Sequence, residues 1–72
     1  METPEAAIRE HDVIALTRNL PDHGLRAGET GTVVHDYGDG ETFEVEFVAE
    51  DGDTKALLTL ARADISPAIN SL

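Results

Sequence analysis

Hydrophobic residues recur in four short segments of this chain that predict β-strands. Residues 12–18 and 30–37 are rich in apolar or β-branched residues, and residues 41–48, ETFEVEFV, alternate strictly between polar and apolar. Residues 54–60, TKALLTL, give a weaker signal, because Ala and Leu also suit helices. A further short strand is predicted at 64–66, where Pro67 stops it. Turn-forming residues separate the strands at 20–24, 38–40 and 51–52. The pattern therefore predicts an all-β domain of about five strands.

The dipeptide Asp51-Gly52 sets a testable register for the last hairpin. It favours a two-residue type I′ turn, in which Glu50 pairs with Asp53. One face of the hairpin then carries only apolar pairs, which are Phe47 with Ala56, Val45 with Leu58 and Phe43 with Leu60. The other face carries mixed pairs, which are Glu46 with Leu57, Glu44 with Thr59 and Val48 with Lys55. Because a slip of one residue would reverse the faces, the apolar agreement supports this register.

The register of the preceding hairpin stays open between two turns. A two-residue turn at 39–40 aligns Val34 with Val45 but places Asp36 beside Phe43. A three-residue loop at 38–40 gives other pairs, which are Tyr37 with Phe43 and Val33 with Phe47. The pattern does not decide between them.

Short strands, a long loop after the first strand and tight hairpins thereafter predict a small, partly open barrel. Such barrels bury one face of a strongly bent sheet, which suits a short chain. We assign residues 11–67 to the barrel and 68–72 to a C-terminal tail. Residues 1–10 form an N-terminal extension, either a short helix capped by Thr3 before Pro4 or a disordered segment.

The most distinctive stretch is GLRAGETGTVV at 24–34, preceded by DVIALTRNLPDHG and followed further on by GETFEVEFV. It resembles the uncharacterised bacterial family DUF4926, whose signature Gly-Thr-Val-Val falls here on residues 31–34. The resemblance covers about residues 11–67 and implies an SH3-like barrel, but it implies no activity. The G-x-x-G-x-V-V pattern is also similar to the KOW motif of ribosome- and polymerase-associated proteins.

The glycines of this stretch also have a physical interpretation. Gly24, Gly28 and Gly31 allow positive φ or a close backbone approach at the ends of the long loop. Leu25 is then able to fold back over one end of the barrel. Gly31, early in a β-branched strand, predicts a bulge or a sharp bend.

Composition narrows the possible partners. The 72 residues include 15 Asp and Glu but only 5 Lys and Arg, so the formal charge is -10. A chain this acidic repels phosphate backbones and anionic lipid, and we therefore expect neither nucleic acid nor a membrane as its partner. The absence of cysteine excludes disulfides and thiolate sites and fits a reducing cytoplasm.

Motifs that carry chemistry are sparse. Three histidines adjoin aspartates, but neighbouring residues in a strand point to opposite faces and no His-x-His or His-x-x-x-His spacing occurs. No P-loop and no local nucleophile–base arrangement is present. The aromatic residues Tyr37, Phe43 and Phe47 are too few for a groove that binds proline-rich peptides. We predict a protein that is not an enzyme and uses no metal or cofactor.

The acidic residues are concentrated in one place. Residues 36–53 contain eight of them and no Lys or Arg, namely Asp36, Asp39, Glu41, Glu44, Glu46, Glu50, Asp51 and Asp53. In the predicted register Glu44 and Glu46 share a face with Val48 and Leu57, so carboxylates lie beside apolar side chains. An acidic field with an apolar anchor suits a basic protein partner. The predicted partner-binding residues are Glu41, Glu44, Glu46, Val48 and Leu57; the alternative is a solvated face that only maintains solubility.

We therefore predict a small, cytoplasmic, non-catalytic interaction module. A concrete version is an antitoxin-like or immunity-like protein that neutralises a basic protein by occlusion. The alternatives are an accessory subunit or maturation factor of a larger enzyme, or a homo-oligomeric structural module. The chain itself is expected to be a monomer or a weak homo-oligomer.

Overall fold

The computed structural model describes residues 7–68, and these residues build one antiparallel sheet. Its strands are β1 (Val13–Leu16), β2 (Thr30–Asp36), β3 (Thr42–Val48), β4 (Thr54–Ala61) and β5 (Ile65–Pro67). Short 3-10 helices lie at Pro21–His23 and Arg62–Asp64. The strand order is β4-β3-β2-β1-β5, and the two outer strands do not pair with each other. The all-β class is confirmed, and the unclosed sheet is compatible with a partly open, SH3-like barrel.

One face of the sheet carries the hydrophobic core. The buried side chains are Ile8, Ile14, Leu16, Leu20, Leu25, Val33, Phe43, Val45, Phe47, Leu60 and Ile65. Along β3 burial alternates strictly, with the two phenylalanines and Val45 inward, because successive side chains of a strand point to opposite faces. Ala56 and Leu58 of β4 pack against this cluster but stay partly exposed at the edge of the sheet. The apolar face predicted from alternation is confirmed.

The β3–β4 hairpin confirms the predicted register except beside its turn. The pairs from Phe43–Leu60 to Phe47–Ala56 are those expected. The predicted pair of Val48 with Lys55 is wrong, because Val48 pairs with Thr54 and the register shifts at this point.

The shift originates in the turn of this hairpin, which is longer than the predicted two residues. Ala49 N donates to Asp53 O at 2.9 Å and Gly52 N donates to Ala49 O at 2.9 Å, so Glu50 does not pair with Asp53. Gly52 has φ 94°, the left-handed conformation that such a three-residue loop requires at its last position. A bulge at Lys55 absorbs the extra residue, and the apolar pairs beyond it keep their predicted partners.

The β2–β3 hairpin combines parts of the open alternatives through a bulge. Asp36 pairs with Phe43, as the two-residue turn requires, but Val33 rather than Val34 pairs with Val45. The register shifts between Val33 and His35, and the side chain of Val34 is 41% exposed. The pairs Val34–Val45, Tyr37–Phe43 and Val33–Phe47 are therefore wrong. The inserted residue lets Val33 enter the core without displacing Asp36 from its partner.

Gly31 pairs in regular register, opposite Ile14, and the bulge of β2 lies at Val34, so a bulge at this glycine is wrong. Its lack of a side chain has a different reason. A Cβ placed there would lie 2.9 Å from Glu46 O and 2.9 Å from two ring carbons of Phe47. The other part of the expectation, a close backbone approach, is confirmed, because the Phe47 ring occupies the space where a side chain would project.

The long loop between β1 and β2 closes over the core through Leu25, as predicted. Leu20 and Leu25 exchange backbone hydrogen bonds of 2.9 and 3.1 Å, and the side chain of Leu25 is buried. The reversal between them uses the 3-10 helix Pro21–His23, which is capped by Gly24 with φ 70°. This loop therefore supplies core as well as connection.

The packed part of the chain starts before the predicted boundary at residue 11. Ile8 is buried in the core, and Glu10 Oε2 accepts a hydrogen bond from Asp36 N at 3.3 Å. His11 N donates to Val33 O at 2.7 Å, which holds the incoming chain along β2. Residues 7–10 thus pack on the domain. The helix considered at Thr3 and Pro4 lies outside the described residues.

Candidate interaction surface

The outer face of β3 carries two glutamates that strand alternation excludes from the core. Glu44 and Glu46 alternate with Phe43, Val45 and Phe47, and both are half-buried rather than freely extended into solvent. Their spacing of two residues in a strand places them about 7 Å apart along β3. The structure therefore brings together, on one face, the two carboxylates that the sequence predicted there.

Glu44 is held by two hydroxyl groups from the neighbouring strands. Its Oε1 accepts a hydrogen bond from Thr59 Oγ1 at 2.6 Å and another from Tyr37 OH at 3.1 Å. The hydrogen bond to Glu44 raises the pKa of Tyr37, and partial desolvation and the negative charge add to this shift. The ring of Tyr37 also meets His35 edge to face, with centroids 4.5 Å apart. Glu44 is thus oriented through one oxygen.

Glu46 is oriented in the same way at the next outer position. Its Oε2 accepts a hydrogen bond from Thr54 Oγ1 at 2.8 Å. The residue pairs with Thr32 on one side and Leu57 on the other. It also lines a shallow groove of about 270 Å³, whose other walls are Val13, Thr30, Gly31, Thr32 and Val48. The carboxylate of Glu46 therefore borders a groove whose other walls are uncharged and combine valine with threonine and glycine.

Exposed apolar side chains surround Glu46 across the sheet. The exposed fraction is 54% for Leu57, 51% for Val48 and 44% for Val13. Val13 pairs with Thr32, and Thr32 pairs with Glu46, so one row crosses β1, β2, β3 and β4 and ends at Leu57. We call Glu44, Glu46, Val48, Leu57 and Val13 the outer patch.

Two members of this neighbourhood were missed by the sequence analysis. Val13 belongs to β1, and only the β1–β2 register, which no short turn fixes, shows that it lies beside Glu46. Tyr37 reaches Glu44 because His35 pairs with Glu44 and Tyr37, two residues further on, lies on the same face, and this register is one that the sequence left open. A paired-strand argument restricted to β3 and β4 contains no signal for either residue.

The structure does not place Glu41 with the outer patch. Glu41 stands one residue before β3, and its alternation puts it on the side of Phe43 instead of Glu44. Its side chain is exposed, and its carbonyl oxygen accepts a hydrogen bond from Arg62 N at 2.7 Å. Glu41 borders the hairpin, whereas Glu44 and Glu46 lie on its face.

Other members of the acidic run stabilise turns. Asp39 is the clearest example, because its oxygens accept hydrogen bonds of 2.8 Å from Glu41 N, Thr42 N and Thr42 Oγ1. These bonds, that from Glu41 N first, lower the pKa of the Asp39 carboxyl. Asp36 accepts from Gly38 N at 2.8 Å, and Asp51 accepts from Asp53 N at 3.0 Å. These aspartates serve the local backbone.

Two cations in the described part of the chain form ion pairs with carboxylates outside the outer patch. Lys55 Nζ pairs with Glu29 Oε1 at 3.1 Å, and this hydrogen bond is the first cause of the lowered pKa of Glu29. Arg18 Nε pairs with Asp64 Oδ1 at 2.8 Å and lowers the pKa of that carboxyl. The outer patch itself contains two carboxylates and no Lys or Arg, so its own formal charge is negative.

Within residues 7–68 no three His, Asp or Glu side chains are grouped so that they could hold a metal ion. The same residues include no helix that is long and apolar enough to cross a membrane.

Comparison with known protein families gives a match. The family model described as "Domain of unknown function (DUF4926)" matches residues 10–67, which is most of the chain. No curated protein and no solved structure matches it.

Proposed function

We propose that this chain, which belongs to the DUF4926 family, is a non-catalytic module that binds a basic protein through the outer patch. The observation that carries the proposal is the state of the two glutamates. Each is anchored through one oxygen by a neighbouring hydroxyl, and no hydrogen bond from residues 7–68 engages the other oxygen. Anchoring of this kind removes side-chain freedom before binding, which lowers the entropic cost of forming an interface.

The partner's chemistry follows from the geometry of the outer patch. Two carboxylates about 7 Å apart along a strand match Lys or Arg side chains presented at the same spacing. Leu57 and Val48 flank Glu46 and supply apolar area for the aliphatic stems of those side chains. The charged pairs would set orientation and association rate, while the apolar anchors would supply affinity.

A concrete form of this role is neutralisation of a small basic protein by occlusion, in the manner of an antitoxin or immunity protein, in the cytoplasm. The net charge of -10 and the small size support this version. The identity of the neighbouring gene products discriminates it from the other role considered, an accessory subunit of an enzyme. A small basic protein encoded alongside favours neutralisation, whereas a metabolic enzyme favours the accessory role.

The test compares two double variants that change net charge equally. Glu44→Gln with Glu46→Gln removes both charges of the outer patch and keeps side-chain shape. Glu50→Gln with Asp53→Asn removes two charges from the hairpin turn, where neither side chain makes a hydrogen bond within residues 7–68. The affinity of each for a copurifying basic partner is measured by calorimetry at several salt concentrations.

We expect the Glu44/Glu46 variant to bind at least about tenfold more weakly and with a shallower salt dependence. The Glu50/Asp53 variant should bind nearly as well as the wild type. Equal weakening by both variants would mean that only overall charge matters, and unchanged binding by both would exclude the outer patch.

A further inference from the structure

The two edges of the sheet differ in how well they are protected against pairing with another strand. β5 has only three residues and ends at Pro67, features that blunt an edge. β4 has eight residues and contains neither proline nor glycine. The stretch 54–63 also lacks any carboxylate, although the chain has 15, and it carries Lys55 and Arg62. β4 is thus the long, open edge of an otherwise acidic domain.

The hydrogen bonds show which backbone groups of β4 face outward. Arg62 N donates to Glu41 O at 2.7 Å, and in an antiparallel ladder such hydrogen-bonded pairs recur at every second residue. Leu60 and Leu58 therefore exchange hydrogen bonds with β3, through Phe43 and Val45. It follows that the N–H and C=O groups of Leu57 and Thr59 point away from β3.

The open stretch of this edge has defined limits. At one end, Ala61 N donates to Asp64 Oδ2 at 3.2 Å and is already satisfied. At the other end the bulge at Lys55 interrupts the regular ladder. Between these limits, Leu57 and Thr59 present outward N–H and C=O groups. Apolar side chains accompany them on both faces, since Leu57 is 54% exposed and Leu58 is half-buried.

We propose that β4 pairs antiparallel with β4 of a second copy of this chain, about a two-fold axis at Leu58. In this register the N–H and C=O groups of Leu57 meet those of Thr59 in the second copy, and the reverse pair forms by symmetry. Leu58 faces Leu58 of the second copy on the inner side and covers the partly exposed edge of the core. This pairing covers the open edge of β4 in both copies at once.

The charges along β4 favour a second copy of this chain as the strand that pairs with it. In this register Lys55 lies opposite Ala61 of the second copy, close to the Asp64 that caps that residue, and no two like charges face each other. On the outer side Leu57 meets Thr59 of the second copy. Glu44 and Glu46 lie on β3, so the two β4 strands separate them from the glutamates of the second copy. Overall repulsion between copies of charge -10 remains, so salt should strengthen the dimer.

Amide hydrogen exchange and sedimentation equilibrium test the pairing without any mutation. In a monomer the amides of Leu57 and Thr59 exchange fast, whereas those of Leu58 and Leu60 are protected by β3. As protein concentration rises, and more so in 0.5 M NaCl than in 0.05 M, we expect a dimeric mass together with new protection of Leu57 and Thr59 alone. A monomeric mass at about 1 mM, or a dimer without this protection, would overturn the proposal.

A matched pair of variants identifies the surface. Thr59→Pro removes the outward N–H, while Thr59→Val loses only the hydroxyl that binds Glu44. We expect Thr59→Pro to weaken dimerisation by on the order of tenfold or more, since each copy loses one intermolecular donor, and Thr59→Val to change it little. Equal effects of the two variants would reject the edge register. If Thr59→Pro does not fold, Leu57→Lys replaces it, because a lysine on the open edge opposes pairing.

The proposal does not rest on the function assigned to the outer patch. Glu44→Gln with Glu46→Gln should strengthen or leave unchanged the dimer, because it removes repulsion, although the same variant should weaken binding to a basic partner. Loss of dimerisation in that variant would place the contact on the outer patch instead of the β4 edge.

Discussion

Replacement of Gly31 by alanine tests whether the packing at the middle of the sheet is as close as described. The φ angle of Gly31 lies outside the left-handed region, so an alanine can adopt the backbone conformation. The added methyl group, however, would stand 2.9 Å from Glu46 O and from Cδ2 and Cε2 of Phe47. Because carbon atoms pack best about 3.5–4.0 Å apart, the strand or the ring must move by roughly 0.5–1 Å.

The expected magnitude follows from two opposed effects. Restricting the unfolded chain by Gly→Ala favours the folded state by about 0.4–1 kcal/mol where the native conformation is compatible. Overpacking in a well-filled core costs about 1–3 kcal/mol, and Phe47 has little room to yield because its side chain is only 1% exposed. The difference between the two ranges runs from about 0 to about 2.6 kcal/mol. Because the Phe47 ring has little room to yield, we expect a net loss near the middle of this range, about 1–2 kcal/mol. For a domain of this size that lowers the melting temperature by about 10 °C.

Urea and thermal unfolding followed by circular dichroism measure this loss, and a double-mutant cycle with Phe47→Leu assigns it. Phe47→Leu alone should destabilise by leaving a cavity, but it also removes the ring that meets the new methyl group. The double variant should therefore be more stable than the sum of the single changes by about 1 kcal/mol. A Gly31→Ala variant as stable as the wild type, or more stable, would refute the reasoning, since entropy alone predicts that result.

Further predictions concern pH. The chain has one tyrosine and no tryptophan, so absorbance titration reports Tyr37 directly. We expect a midpoint above 10 in the folded protein and a lower one in Glu44→Gln. The stability that Tyr37 contributes should be present in full below its unfolded pKa and lost as pH rises through its folded pKa. Equal midpoints in the two proteins would reject the Tyr37–Glu44 hydrogen bond. For Asp39 the sign is opposite. Its lowered pKa means that its contribution is present above the unfolded value near 3.8 and is lost as pH falls through the folded pKa. Asp39→Asn should therefore melt at a lower temperature than the wild type at pH 7, and the difference should shrink on acidification; a constant difference from pH 7 to 2 would contradict this assignment.

The hairpin registers show how far strand pairing can be predicted from local pattern. Alternation in β3 and β4 sufficed to pair Phe43 with Leu60 and Phe47 with Ala56, because a one-residue slip would expose the whole apolar face. The turn of the same hairpin was predicted one residue too short. A bulge at Lys55 absorbs the extra turn residue and restores the predicted strand pairs beyond it. Because the same side chains are buried beyond the bulge as without it, the sequence pattern carries no signal for the bulge.

The candidate site was predictable to the same extent. Glu44, Glu46, Val48 and Leu57 follow from the β3–β4 register, which the turn and the apolar pairs specify locally. Val13 and Tyr37 do not, because their positions depend on the pairing of β1 with β2 and on the β2–β3 register, which the sequence left open between two turns. The hydroxyl groups that orient the two glutamates likewise come from residues distant along the chain, such as Thr59 for Glu44.

The sequence by itself determined the all-β class, the apolar inner face and the acidic outer face of the central hairpin, because side-chain alternation in a strand has a period of two and is a local property. Only the tertiary structure decided that Ile8 belongs to the core, that Gly31 makes room for the Phe47 ring, and that β4 is left as an open edge. These features depend on which segments meet across the sheet, and such contacts are set by the packing of the whole domain.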